Sequence, residues 1–332
     1  MTTFQTRITE FFGIRLPIVA GCMQHLSTPE YVAAAASAGM IGFLAAASYD
    51  SEEALRIAIR RCFELTEGSP FGVNISMLPK LVEGEKTEQF FKVVLEEGVR
   101  FVETSGRSPE PYLPRLKEGG VKVIHKVPAV KYARKAQALG VDAVAVVGAE
   151  CGGHPGLDLV GTMVQTAAAA RDLTIPLLVG GGIGTGTQLV AALAMGADGV
   201  VMGTRFLVAE EIQVHRRYQE RLLEADETDT TLVLQSLRNT MRILNNGTAG
   251  EVQSIERTHG ADLARLMPLI SGAVSRLAYV SGDTSRGALA VGQAVTFANR
   301  IEPLTAIVRS IENEALGALQ RVNALARTPN PT

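Results

Sequence analysis

Glu150-Cys151-Gly152-Gly153-His154-Pro155-Gly156 follows directly on the apolar run Val141–Val147, which reads as a buried strand. Paired glycines let a backbone come close to a flat ligand. A histidine beside them can exchange protons near neutral pH. Pro155-Gly156 stiffens the rest of the loop. The pattern predicts a strand-end ligand site with His154 as its proton-exchanging group. Cys151 has no activating partner at fixed spacing and reads as a small wall residue rather than a nucleophile. Glu150 reads as a contact to the ligand or as a residue that orients the loop.

Two further glycine clusters end apolar runs. One is Gly180-Gly181-Gly182-Ile183-Gly184; the other is Met202-Gly203-Thr204-Arg205. Backbone N–H groups in such turns form a cradle for an anion, and Thr204 adds a hydroxyl. Taken singly, such glycines are tight corners. Two on consecutive strand ends predict a phosphate site. Earlier strand ends carry Gly21-Cys22-Met23-Gln24-His25, Asn74 and His125-Lys126. These offer a thin backbone wall and hydrogen-bonding groups for a heteroaromatic ring. The charge of Lys126 can stabilise an electron-rich ring or a phosphate. His25, alone, reads more blandly as a rim or packing residue. No HxxxH, CxxC or carboxylate cluster gives metal-ligand spacing, and no GxSxG elbow presents a serine, so no metal is expected. The residues together describe a phosphorylated planar cofactor with His154 poised over it.

The elements that must position these groups alternate strictly. Eight short apolar runs (Pro17–Gly21, Ile41–Ala47, Phe71–Ile75, Arg100–Thr104, Val121–His125, Ala143–Val147, Pro176–Gly180, Gly199–Met202) are separated by helical patterns. Runs this short and apolar suit strands buried on both faces of a parallel sheet. Thr28-Pro29 reads as a helix N-cap followed by proline at the first position, and Gly140 as a C-terminal cap. The alternation predicts an α/β fold, a TIM (β/α)8 barrel, whose function gathers at the strand C-termini. A doubly wound sheet is the alternative, but GxGxxG does not follow the first strand. After Arg205 the alternation stops. Residues 1–211 and 301–332 are expected to form the barrel, and 212–300 a mainly helical lobe over its mouth. Leu304, Val308, Ile311, Ala315, Leu319 and Val322 share one face of a closing helix.

Composition excludes several function classes. The 332 residues are 46% hydrophobic and 20% charged, with a formal net charge of -2. Nothing there steers the chain to nucleic acid or an acidic membrane. No run approaches the ~18 apolar residues of a membrane span. Arg7, Glu10 and Arg15 break any secretory signal pattern. The cysteines Cys22, Cys62 and Cys151 lack disulfide-like spacing, which predicts a cytoplasmic location. The oligomeric state is not written in the sequence.

The motifs together resemble the nitronate monooxygenase family, formerly the 2-nitropropane dioxygenases, over nearly the whole chain. The resemblance rests on Pro17–Met23, Gly72-Val73-Asn74, His125-Lys126, Glu150–Gly156, Gly180–Gly182 and Met202–Phe206. It implies FMN on a TIM barrel. Gly21, Cys22, Met23, Asn74, Lys126, Gly152 and Gly153 would lie by the flavin. Gly181, Gly182, Gly203 and Thr204 would hold its phosphate, with Gly180 beside them in the cofactor site, and His154 matches the active-site histidine. Gln235–Arg242 and His125–Val130 also resemble a bacterial subgroup of NADH:quinone oxidoreductases. In that subgroup the loop after strand three gates the nicotinamide; here that loop is Ser76–Lys86, with Pro79 as its hinge. Arg238 and Arg242 would then help hold nicotinamide phosphates. The chain departs from the subgroup at Val147, where an acidic residue is common, and at His25, where an aromatic is common. Both departures fall on the substrate side. The leading expectation is oxidation of alkyl nitronates with O2. NADH- or NADPH-dependent quinone reduction is the alternative, and FMN-dependent enoyl-thioester reduction a third.

Overall fold

The computed structural model describes residues 4–77 and 85–325. Its first eight strands are β1 (Ile18–Ala20), β2 (Ile41–Ala45), β3 (Gly72–Met77), β4 (Phe101–Gly106), β5 (Lys122–Val127), β6 (Ala143–Val147), β7 (Leu177–Gly180) and β8 (Gly199–Met202). They form a closed parallel barrel in chain order. Pairing of β1 with β8, Ile18 opposite Val200, closes the ring. An open doubly wound sheet has no such pairing, so the barrel expectation holds and the alternative falls. The outer helices are α2 (Pro29–Ser37), α3 (Glu52–Thr66), α4 (Thr87–Glu96), α5 (Leu113–Glu118), α6 (Val130–Leu139), α7 (Thr162–Asp172) and α8 (Gly186–Ala194). The Thr28 hydroxyl accepts the Tyr31 N–H, with Pro29 in the first helical position. Gly140 ends α6 in the left-handed conformation.

Period-two alternation sorts each strand into two faces. Val19, Ile41, Phe43, Phe101, Ile124, Ala143, Ala145 and Leu178 fill the barrel interior. Val73, Val102, Val123, Val144, Val146, Val179 and Val200 face the helices. The interior is plugged from below by α1 (Arg7–Phe12), a helix the strand-by-strand reading did not anticipate. Its Phe12 ring lies 5.1 Å from Phe101 and 6.2 Å from Phe43, both edge-on.

The segment between β8 and the last helix contains α9 (Arg216–Leu223), β9 (Thr230–Val233), β10 (Met241–Leu244), α10 (Gly247–His259), α11 (Leu263–Ile270) and α12 (Gly272–Ser281). It carries an antiparallel β9–β10 pair among its helices, with a small apolar cluster of its own around Val233, Ile243, Val252 and Leu266. The closing helix, α13 (Leu304–Leu325), packs on α8 and α2 and takes the outer position after β8. Its buried face is Leu304, Ile307, Val308, Ile311, Ala315 and Ala318; Leu319 and Val322 stand exposed instead. Among the described residues no helix is long and apolar enough to cross a membrane.

Candidate active site

The upper layer of the barrel interior is polar. Strand parity carries the inward face of β4 from Phe101 to Glu103 and Ser105, and that of β5 from Ile124 to Lys126. On β3 the inward positions at this height are Asn74 and Ser76. The Ser76 hydroxyl donates to Asn74 Oδ1 at 3.1 Å and lies 3.0 Å from Ser105 Oγ. Glu103 is 2% exposed, and its carboxylate is ion-paired with Lys126 Nζ. Burial alone would pull Lys126 toward its neutral form. The Glu103 carboxylate opposes this, and the ammonium ends with its pKa raised. The Cys22 thiol beside them is pushed up to about 12, first by burial and then by Glu103. Burial also pushes Cys151 up to about 12. Both thiols are therefore neutral wall groups at physiological pH. Val147 continues the inward face of β6 above Ala145.

The strand-six loop is held by distant parts of the chain. Gly153 and Arg242 form an antiparallel bridge, with N–H to carbonyl distances of 3.0 and 2.7 Å. The Arg242 guanidinium donates from Nε to the Ala149 carbonyl at 3.0 Å and from Nη1 to Thr230 Oγ1 at 3.0 Å. Glu150 accepts the Thr162 N–H at 2.9 Å and its hydroxyl at 2.9 Å, so it caps α7 from outside the helix. This is the loop-orienting role read for it. His154 is reached by solvent, yet protein atoms crowd its ring, and that desolvation lowers its pKa below the ordinary histidine value. The imidazole is thus neutral at pH 7 and able to accept a proton.

The glycines divide by surroundings. A Cβ on Gly203 or Gly153 would meet nothing within 4 Å, so both open onto free space. Gly152 is different: a Cβ there would come within 2.7 Å of the Gly292 nitrogen and 2.8 Å of the Val291 carbonyl carbon. Its smallness serves packing of the loop on 291–292, not only ligand approach. Gly180, Gly181 and Gly182 would likewise press on Val201, Thr162 and Glu150. Gly21 lies against the Met202 carbonyl, to which its N–H donates at 2.7 Å. Thr204 Oγ1 accepts the Gly292 N–H at 2.9 Å, which leaves its own proton for an anion. The N-termini of α7 and α8 are already occupied by Glu150 and Glu314. An anion in this region must therefore be held by the strand-end turns themselves. A cavity of about 610 Å³ flanks those turns, lined in part by Gly181, Gly182, Met163, Met195 and Phe297. It does not reach Lys126 or His154, so it lies beside the chemistry rather than over it.

The structure thus brings Cys22, Asn74 and Lys126 to the barrel mouth with Glu103, and sets Met23 against Ser27 through a 2.9 Å N–H to hydroxyl bond. His25 adopts φ 66° and donates its N–H to Ser48 Oγ at 2.7 Å. Gly272 of α12 packs against its ring, so His25 lies under the inserted segment. His125 turns away from the mouth into the strand–helix layer, 2.8 Å from Thr104 Oγ1. Gln235–Arg238 forms the β9–β10 turn rather than a helix, with Arg238 exposed at φ 52°. Arg242 is committed to the Ala149 carbonyl of the strand-six loop and to the Thr230 hydroxyl. Pro79 lies outside the described residues. Glu103 and Gly292 escaped the sequence reading. Glu103 had a signal: a charge at the inward parity of a strand otherwise buried on both faces.

The nitronate monooxygenase family model matches residues 5–314. The chain is 30% identical to the (3aS,4S,5R,7aS)-5-hydroxy-7a-methyl-1-oxo-octahydro-1H-indene-4-carboxyl-CoA dehydrogenase of Mycobacterium tuberculosis, over 97% of this chain and 99% of that protein. It is 32% identical to a probable nitronate monooxygenase of Staphylococcus saprophyticus, over 68% of this chain and 75% of that one. The structure of FabK from Thermotoga maritima superposes with a TM-score of 0.89 at 33% identity, covering 98% of this chain and 100% of that chain. Fold, family model and full-length likeness agree: the chain is an oxidoreductase and belongs to the nitronate monooxygenase family.

Proposed function

We propose that this chain is an FMN-dependent oxidoreductase that transfers hydrogen at the carbons next to an acyl thioester. The observation that carries the reading is the mouth itself. Gly203, Gly153 and the free Thr204 proton provide an open cradle for a phosphate-bearing cofactor. The floor beneath holds a paired Lys126–Glu103, and the strand-six loop above it carries an uncharged His154. FMN, when bound, would accept or return a hydride. Residues Gly181, Gly182, Gly203 and Thr204 would hold its phosphate, while Met23, Asn74 and Lys126 line the ring side. His154 takes or returns the proton at the substrate carbon, within the reach of general acid–base catalysis. A neutral thioester suits a floor whose lysine is already matched by a carboxylate. The likeness to a carboxyl-CoA dehydrogenase along both whole chains supports the same order. Residues 212–300, which lay α12 over His25, would act as the substrate lid.

Nitronate oxidation with O2 is the second reading, favoured by the family match and the staphylococcal relative. It would ask the paired floor to bind a substrate anion. NAD(P)H:quinone reduction loses support, because Arg242 is held by Ala149 and Thr230.

Anaerobic flavin spectra separate the readings. FMN-loaded protein is mixed with NADH, NADPH or propyl-2-nitronate, and the reduced protein with crotonyl-CoA. Reoxidation by crotonyl-CoA is the expected result. Rapid bleaching by the nitronate, with no response to crotonyl-CoA, would install the nitronate reading instead.

A further inference from the structure

Glu103 is the only carboxylate among the buried described residues. Neither of its oxygens receives an aligned hydrogen bond, and its charged partner is Lys126. A buried ion pair is a poor way to stabilise a fold, since apolar residues of similar volume usually do as well or better. One layer below, the same barrel does use apolar residues, Phe101 and Ile124. The pair stands in the upper layer with Cys22 and Asn74, on the side where the proposed function sets the cofactor ring. Lys126 retains 22% side-chain exposure and Glu103 3%, so the ammonium faces the mouth and the carboxylate lies behind it.

We propose that Glu103 is a positioning residue for Lys126: it anchors the ammonium at the floor of the mouth and cancels most of the field that a bound flavin experiences there. The proposal rests on the flavin reading above. A lone ammonium under the ring favours the electron-rich reduced form, and a lone carboxylate opposes it. The matched pair leaves the flavin between these limits.

The test is the FMN midpoint potential in E103Q, K126M and E103Q/K126M. E103Q should shift it upward and K126M downward. The double variant should return near the parent value, the sum of the two opposite shifts. A residue with a merely structural role would not move the potential in opposite directions on removal of either partner. Shifts of the same sign, or none, would overturn the proposal. If E103Q fails to fold, the double variant against K126M carries the test, since adding E103Q must raise the potential. Melting of the apoproteins gives a flavin-free arm. K126M, with its stranded carboxylate, should melt lower than the double variant; equal melting would count against the proposal. A parent protein that takes up no FMN would sink the functional reading, while the apoprotein arm would still judge the pair.

Discussion

The lower and upper halves of the barrel interior are built from the same strands and follow opposite rules. Below, Phe12, Phe43 and Phe101 pack ring edge to ring face and close the floor. Above, two residues further along β4 and β5, Glu103 and Lys126 occupy positions that apolar side chains could fill at lower cost. The lower half holds the barrel shut; the upper half gives up stability for charge and hydrogen bonding. One strand thus carries both tasks, divided by height.

The contrast breaks most readily from below. Phe101→Ala should destabilise the protein by about 3–5 kcal/mol, read from urea unfolding. FMN affinity of the folded fraction should stay unchanged. A loss of FMN affinity larger than the loss of stability would show that the two halves are not separable.

Acid should act through the layer behind the barrel. His125 is 5% exposed, and burial pushes its pKa down to about 4, against the ordinary 6.5. The unfolded chain gains its proton near pH 6.5 and the native chain only near 4. Stability is therefore intact above pH 6.5 and is lost as pH falls through that window, by about 3 kcal/mol for this residue. His125→Gln should flatten the decline in melting temperature between pH 7 and 4.5. An unchanged decline would assign acid sensitivity elsewhere.

Above the floor, His154→Asn should lower turnover about 100-fold with melting and FMN binding preserved. The acid limb of the parent's turnover should lie below pH 6.5, because His154 has a lowered pKa, and should vanish in the variant. Loss of FMN would make His154 a structural residue. The smallest effect sharpens the phosphate cradle. Gly203→Ala places its methyl in open space at φ -112°. Apoprotein stability should stay within about 0.5 kcal/mol, while FMN binding weakens about tenfold. Equal FMN binding would move the phosphate away from Gly203.

The barrel was legible because it repeats. Eight apolar runs and their glycine and threonine caps each state the same unit, so an error in one leaves the topology intact. The ends of those runs were legible as well: Lys126, Asn74 and Cys22 stand at the mouth. What escaped was set by pairing across distance. Gly292 reads as an ordinary glycine until Gly152 is placed against it. Gln235–Arg242 lies in the stretch read as mainly helical, and only the pairing of β10 with β9 makes it a turn and a strand. His125 and Lys126 are adjacent in sequence, and only strand parity decides that one faces the mouth and the other the helices. Parity was available at β5, and the anchor Ile124 would have told the two apart.

The bridge between Gly153 and Arg242 carries a consequence for how such enzymes diverge. Its two hydrogen bonds are both main chain to main chain. Main-chain contacts are indifferent to side-chain identity, so apart from Arg242 the inserted segment can exchange its side chains without loosening its hold on the strand-six loop. Under the proposed function, substrate range and proton transfer would then change on separate schedules, one written in the insertion and the other in the barrel.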